Sequence, residues 1–371
     1  MAITVDQGFR PYLLKHIAET VGNPATPQYK IEPVGFLNLL LSQKRPEFLR
    51  LNTAGGHRNT VQIKYKQRFN KSHTDTSKSC DVTLQSAYNE AAVELSSTRQ
   101  FAIHIEDETI ANYMDEASKT VAIGQPASQI MNELLEDIML GASAICEGVN
   151  DDLLTTAEAA IGVNRVNGLA TAKALNIPLN TTNLPLNAGL TEIISDYKIN
   201  GFSGRPQIVG SGLMYNFMLQ QASKSFDQSG FDTKVQAGGV DFYHDLAAAS
   251  IVGSNEVIVY EKDAVQLVEY LEYTGFKAGY PGMGDSIFGT LTLPIAGSEN
   301  MPVKFDWQLK YNSCQTTMTD AYSGGELVLE KGYNFILTKR SGLFVIPSDA
   351  YRAGDVLEGN RGSLRYAVTN S

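Results

Sequence analysis

Cysteine is scarce in this chain, with three in 371 residues: Cys80, Cys146 and Cys314. An odd number at wide spacing excludes a disulfide framework and a zinc site, and fits synthesis in a reducing cytosol. Histidine is nearly as sparse. His16, His57, His73, His104 and His244 are scattered and lack metal-ligand spacing. His104-Ile-Glu106 puts two ligand types on one strand face, a weak signal for a metal. No apolar run approaches the ~18 residues of a membrane span, and the start Met1-Ala-Ile-Thr-Val5 lacks the basic and apolar regions of a signal peptide. Positive charge is also short. Thirty Lys and Arg against 40 Asp and Glu give −10, which argues against a general nucleic-acid binder.

Catalytic motifs are missing too. Gly210-Ser-Gly212 and Gly201-Phe-Ser-Gly204 lack the spacing of a nucleophile elbow. Gly279-Tyr-Pro-Gly-Met-Gly284 lacks the lysine and hydroxyl of a phosphate loop and the spacing of a dinucleotide fingerprint. The carboxylate pairs Asp107/Glu108 and Asp151/Asp152 are adjacent in sequence, so on a helix they diverge by about 100°. These residues supply no active site, no cofactor and no metal.

What remains is a chain with 43% hydrophobic and 19% charged residues, long enough for a sizeable core and two or three domains. Its strongest signal is a helix beginning at Pro126, a residue suited to a first turn. Ile130, Met131, Leu134, Leu135, Ile138, Met139, Ala142, Ile145, Cys146 and Val149 share one half of that helix. Glu133, Glu136, Asp137 and Glu147 lie on the other, with Leu140 in their midst. The pattern fails near Asp151-Asp152, where Asp152 would enter the apolar half, although a turn or two of helix follows from Leu153. Gly141 and Gly148 sit at the edge of the apolar face, where another backbone is expected to come close.

Charge is segregated along the chain. From His57 to Ser79 the bases Arg58, Lys64, Lys66, Arg68, Lys71 and Lys78 oppose Asp75, giving +6 − 1 = +5. From Glu106 to Glu158 twelve acids oppose Lys119, giving −12 + 1 = −11. Alternation of Val61, Ile63 and Tyr65 with Gln62, Lys64 and Lys66, and a second run at Val82-Thr-Leu84, predict a long two-stranded loop with a polar tip over 70–79. Such a hairpin is marginal alone and is either solvated or laid on another surface.

Before it lies an arm with apolar patches at Phe9–Ile17 and Phe36–Leu41, which packs on its own domain or on a neighbouring subunit. After it, Phe101–Ile105 is a strand, Thr109–Ser118 a short helix, and Asn164–Gly168 a turn. Between 170 and 300 the pattern is mixed. Helices are expected at Leu190–Tyr197 and Leu213–Ser223, and strands at Pro206–Val209, Ile251-Val252 and Val257–Tyr260. Ala264–Tyr273 reads as either. Strands at Gly289–Leu293, Val303–Tyr311, Phe335–Lys339 and Leu343–Ile346 make the end of the chain β-rich.

Arm, basic hairpin, strand and acidic stretch, long helix, α/β insertion and β-rich return form an order that resembles the major capsid proteins of tailed double-stranded DNA bacteriophages, the Hong Kong 97 capsid fold shared with encapsulin shells. Family-like stretches are Pro206-Gln-Ile-Val-Gly-Ser-Gly-Leu-Met-Tyr-Asn-Phe-Met218, Asn255–Val268 and Lys304-Phe-Asp-Trp-Gln-Leu-Lys310. The resemblance implies an α+β fold with an N-arm (1–50), an E-loop (51–86), a peripheral domain (87–160) with a spine helix at 126–150, an axial domain (161–298) and a β-rich return (299–371).

It also implies a structural protein and not an enzyme, self-assembling as hexamers and pentamers into an icosahedral head. An encapsulin-like compartment and an α/β enzyme built on 170–300 are the alternatives. Implied partners are a separate scaffolding protein, a portal at one vertex and DNA held without sequence specificity; a decoration protein is left open, and no membrane is involved. The location is the virion, after assembly in the host cytoplasm. In such a shell Arg58, Lys64, Lys66, Arg68 and Lys71 of one subunit would meet Glu133, Glu136, Asp137, Leu140 and Glu147 of the next. The lysine–asparagine crosslink of the type phage is not implied, because no acceptor asparagine or catalysing acid is identifiable.

Overall fold

A computed structural model describes residues 31, 34–43, 48–52, 59–66, 88–106, 125–161, 172–177, 188–224, 234–272, 286–295, 298–318, 326–347 and 360–369. The Phe9–Ile17 patch, the hairpin tip, the Val82-Thr-Leu84 strand, the Thr109–Ser118 helix and the Asn164–Gly168 turn lie outside them. The fold is α+β, and among the described residues the strands gather in three sheets. By compactness the chain divides into one unit of residues 1–32, 98–148 and 270–340, and another of 33–97, 149–269 and 341–371.

In the first unit strand β4 (Ser97–Glu106) pairs with β13 (Glu326–Val345), which pairs with β12 (Ser298–Met318), which pairs with β11 (Ser286–Ile295). The β12–β13 register is unbroken from Asp306↔Thr338 to Met318↔Glu326. The period-2 pattern explains which side is buried. Val303, Phe305, Trp307 and Leu309 point into the core from β12, and Tyr333, Phe335 and Leu337 from β13. Trp307 and Phe335 stack with centroids 5.9 Å apart. Gly289 has no side chain because a Cβ there would stand 2.7 Å from the Trp307 indole nitrogen. Lys339 continues the inward series and is 1% exposed. Its ammonium donates to the Lys304 carbonyl at 3.2 Å and lies 5.4 Å from the Phe305 ring centre, so the buried charge is solvated by a carbonyl and an aromatic face.

Phe335–Lys339 and Leu343–Ile346, expected as separate strands, belong largely to one strand of 20 residues. Strand β10 (Val265–Tyr270), where periodicity was undecided, flanks β13.

In the second unit a six-stranded sheet runs β5-β14-β9-β6-β8-β7, built from β5 (Lys173–Asn176), β14 (Ser363–Thr369), β9 (Glu256–Tyr260), β6 (Gln207–Gly210), β8 (Val240–His244) and β7 (Lys234–Ala237). The β5–β14 and β6–β8 pairs are parallel and the others antiparallel. Its core joins Ile208, Phe242, Val257, Val259, Leu364 and Tyr366 to residues of two helices, Ala188–Ile199 and Leu213–Lys224, in the places expected for helices. Ile251-Val252, expected as strand, instead ends a short helix, Ala248–Ile251, closed by Gly253 at φ 144°.

The basic strand β2 (Thr60–Lys66) has Val61 and Ile63 buried and Lys64 exposed, as its alternation requires. It is the middle of three antiparallel strands. β1 (Phe48–Asn52) lies on one side and β3 (Tyr88–Glu94) on the other, both antiparallel. A third strand resolves the marginal stability of a two-stranded ribbon.

Helix α1 (Gly35–Ser42) buries Phe36, Leu37, Leu39, Leu40 and Leu41. The second apolar patch of the arm, Phe36–Leu41, is therefore folded into its own unit; Phe36 lies 5.8 Å from the Tyr260 ring. Burial of five such side chains is worth roughly 7–15 kcal/mol, while fixing eight residues costs roughly 8–16. With those terms nearly cancelled, polar contacts at the helix ends decide how firmly it is held.

Candidate assembly surface

Helix α2 (Gln125–Ala159) is the long amphipathic helix, and it runs nine residues beyond the expected end at 150. Leu134, Leu135, Ile138, Met139, Ala142, Ile145, Cys146 and Val149 are buried, and the apolar series continues through Leu153, Leu154 and Ala157. Asp152 does not break it, because its carboxylate accepts a hydrogen bond from Ser97 Oγ at 2.7 Å. A polar residue on an apolar face is tolerated when it is paired.

The close approach expected at the two glycines is real, but side chains make it and not a backbone. A Cβ on Gly141 would stand 2.2 Å from the Phe101 ring, and one on Gly148 would stand 3.1 Å from Arg99 Nε. This contact seats the helix on β4.

The outer strip of α2 carries the candidate surface. Glu136, Asp137, Leu140, Ala144, Glu147 and Asp151 are exposed at three-to-four-residue spacing, and Leu140 is 69% exposed. The helix contains seven acids (Glu133, Glu136, Asp137, Glu147, Asp151, Asp152, Glu158) and no lysine or arginine. Acids in the second half oppose the negative end of the helix dipole, and Glu158 is compensated by Arg365, whose NH1 lies 2.6 Å away. The side chain of Glu133 lies outside the described residues.

Of the five basic residues expected to meet this strip, Lys64 is exposed on β2, and Lys66 ends that strand with its side chain outside the described set. Arg58, Arg68 and Lys71 are also outside it. Lys64 stands directly across the ladder from Glu90, and Thr60 from Glu94. Acids on β3 therefore share the sheet with the basic strand, a feature hidden from a count that stops at Ser79.

The side chain of Glu106 lies outside the described residues, so its pairing with His104 is not described. His104 Nδ1 meets Asn334 Oδ1 at 2.7 Å. Two polar clusters passed over in the sequence do form in the second unit. Arg365 donates to Glu158 at 2.6 Å, Glu256 at 2.5 Å and the Val252 carbonyl at 2.8 Å. Lys173 bridges Asp196 at 2.7 Å and Glu192 at 2.8 Å, while Tyr366 donates to Asp196 at 2.9 Å. Burial alone would lower the Lys173 and Arg365 pKa values; the hydrogen bonds and charges of their acidic partners outweigh it and raise both. Burial, with Asp196 and Glu192 nearby, pushes the Tyr366 phenol up. These are structural ion pairs, in each of which one base bridges two acids. The bonded partners lie 19 to 207 residues apart, so no local spacing announces them.

No family model and no curated protein matches the chain. Among solved structures it is similar to the capsid of the cyanophage P-SCSP1u, at 13% identity over 89% of this chain and 90% of that one, with a TM-score of 0.38. It is similar to the capsid of the cyanophage A-1(L) at 12% identity, 94% and 97% coverage and a TM-score of 0.44. It is also similar to a structure of the Mycobacterium phage Adephagia at 9% identity, 94% and 95% coverage and a TM-score of 0.47.

Proposed function

We propose that this chain is the major capsid protein of a tailed double-stranded DNA bacteriophage, assembling into the icosahedral head without turning over a substrate. The observation that carries this reading is Leu140, 69% exposed in the middle of an acidic strip on a 35-residue helix with no basic residue. A partner that covers this leucine and answers the acids around it gives both a role. A second copy of this chain carries the complementary charge in the basic segment Arg58–Lys71. The strip lies within the helix that the resemblance to the Hong Kong 97 fold makes the spine.

In this reading residues 1–50 are the N-arm, 51–86 the E-loop, 87–160 the peripheral domain with its spine helix, 161–298 the axial domain and 299–371 the return. Exposed ion pairs contribute only ~0–1 kcal/mol each, so charge sets the register of the loop on the neighbouring helix, and apolar contact at Leu140 adds to affinity. The subunit forms hexamers and pentamers, uses a separate scaffolding protein and a portal, and encloses DNA in the virion without reading its sequence. Assembly takes place in the host cytoplasm.

The test is electron microscopy and sedimentation of the purified chain. Capsomers or closed shells are expected; a stable monomer at micromolar concentration refutes the reading. Shells that form and retain protein instead of DNA assign the compartment alternative. Reversal of Lys64, Lys66 and Arg68 to glutamate should abolish assembly and leave the circular dichroism of the subunit unchanged, and normal shells from that variant would refute the loop–helix pairing.

A further inference from the structure

The first turn of α1 has unusual partners. Its N-cap, Val34, offers no side-chain acceptor, no acid stands in its first turn and no base in its last. An eight-residue helix without a side-chain N-cap has little stability of its own. Two of its leading amides are instead met by side chains from far along the chain. Phe36 N–H donates to Asp245 Oδ2 at 2.9 Å and Leu37 N–H to Asn150 Oδ1 at 2.9 Å.

Those acceptors are oriented without help from α1. Asp245 Oδ1 accepts from Ala247 N–H at 2.9 Å and Ala248 N–H at 3.3 Å, and Asp245 Oδ2 accepts from Asn150 Nδ2 at 2.9 Å. Asn150 is placed by α2 and Asp245 by the end of β8. Gly35 completes the fit. A Cβ there would stand 2.2 Å from the His244 carbonyl oxygen and 2.6 Å from Asp245 Cβ, so only glycine lets the helix start reach the carboxylate. The far end is fastened separately, by Gln43 to Gln207 Oε1 at 2.6 Å and to the Asp263 N–H at 2.8 Å.

We infer that Asp245 and Asn150 form a preorganised receptor for the start of α1, and that α1 is a strap which docks on the finished sheet and can be released as a unit while the sheet stays folded. Three of the four hydrogen bonds to Asp245 survive that release, so opening leaves the carboxylate partnered and able to recapture the helix. The occupant is the chain's own segment 35–42. The inference rests on these contacts alone and stands apart from the proposal of shell assembly.

Hydrogen exchange on the full chain tests it. In the natural sequence, α1 amides should exchange at least tenfold faster than those of Val257–Tyr260 on β9, in a step that leaves β9 closed. Asp245→Asn, which puts an NH2 group against donors, should speed α1 a further tenfold or more and change β9 less than twofold. Equal exchange of α1 and β9 in the natural sequence overturns the inference, and this arm needs no variant to fold. Equal acceleration of both, or none in α1, in Asp245→Asn also overturns it. Exchange of α1 that slows with protein concentration assigns the receptor to segment 35–42 of a second copy and overturns the intrachain strap.

Discussion

Arg365 on β14 holds Glu158, the last acid of α2, at 2.6 Å, and the same guanidinium holds Glu256 of β9 at 2.5 Å. One cation thus joins the end of the long helix to the sheet and separates two carboxylates that would otherwise repel. Arg365→Met should therefore cost about 1–3 kcal/mol at pH 7, less than a fully buried pair because the side chains are 21–30% exposed. Urea unfolding at pH 7 measures it.

Gly141 and Phe101 make a second pair whose coupling is measurable. Gly141→Ala gains helix propensity of about 1 kcal/mol, yet its Cβ would fall 2.2 Å from the ring. The net result should be a loss of about 1–3 kcal/mol from overpacking. With Phe101→Ala already in place, the same change should become neutral or stabilising. A thermal double-mutant cycle should thus show coupling of opposite sign to the single loss.

Leu140→Ser should change subunit stability by no more than about 0.5 kcal/mol, since the side chain is mostly exposed. Its effect should appear in assembly, as a raised critical concentration in light scattering. Loss of stability without loss of assembly would make Leu140 a folding residue.

The Lys173–Asp196–Tyr366 cluster sets an alkaline limit. Both Lys173 and Tyr366 have raised pKa values in the folded state. Each therefore contributes stability that is complete below its unfolded pKa, about 10 for both groups, and is lost as pH rises toward its folded value. The urea midpoint should fall above pH ~10, and Tyr366→Phe should flatten that fall. His244 acts at the other end: burial lowers its pKa, with Asp245 opposing. Stability should drop as pH falls through about 6.5, where the unfolded chain takes up a proton first.

How much of this was legible in the sequence depended on how local the cause was. The apolar face of α2, the helices at 188–199 and 213–224 and the alternation of β2 follow from side chains a few positions apart, and each is where its period puts it. The end of α2 was misread because Asp152 is answered by Ser97, 55 residues away. β13 runs through Gly342 and joins the strands expected at Phe335–Lys339 and Leu343–Ile346, and a Cβ at that glycine would stand 2.4 Å from the Glu94 carbonyl oxygen, a contact far away in sequence. Helix α1 is buried all round, so its leucines gave no face to choose and its partner could not be inferred. Leu140 was legible as an anomaly, since its exposure follows from the same period that buries its neighbours.

The unbroken register of β12 and β13 bears on how the molecule carries load. Thirteen consecutive residue pairs, Asp306↔Thr338 through Met318↔Glu326, link the two strands without a bulge. Their hydrogen bonds lie perpendicular to the strands. Tension that draws the two strands past each other along their length strains the whole ladder in shear, whereas tension that peels them apart at one end breaks it bond by bond. The ribbon is stiff in the first direction and weak in the second, which makes it a directional tether within its unit.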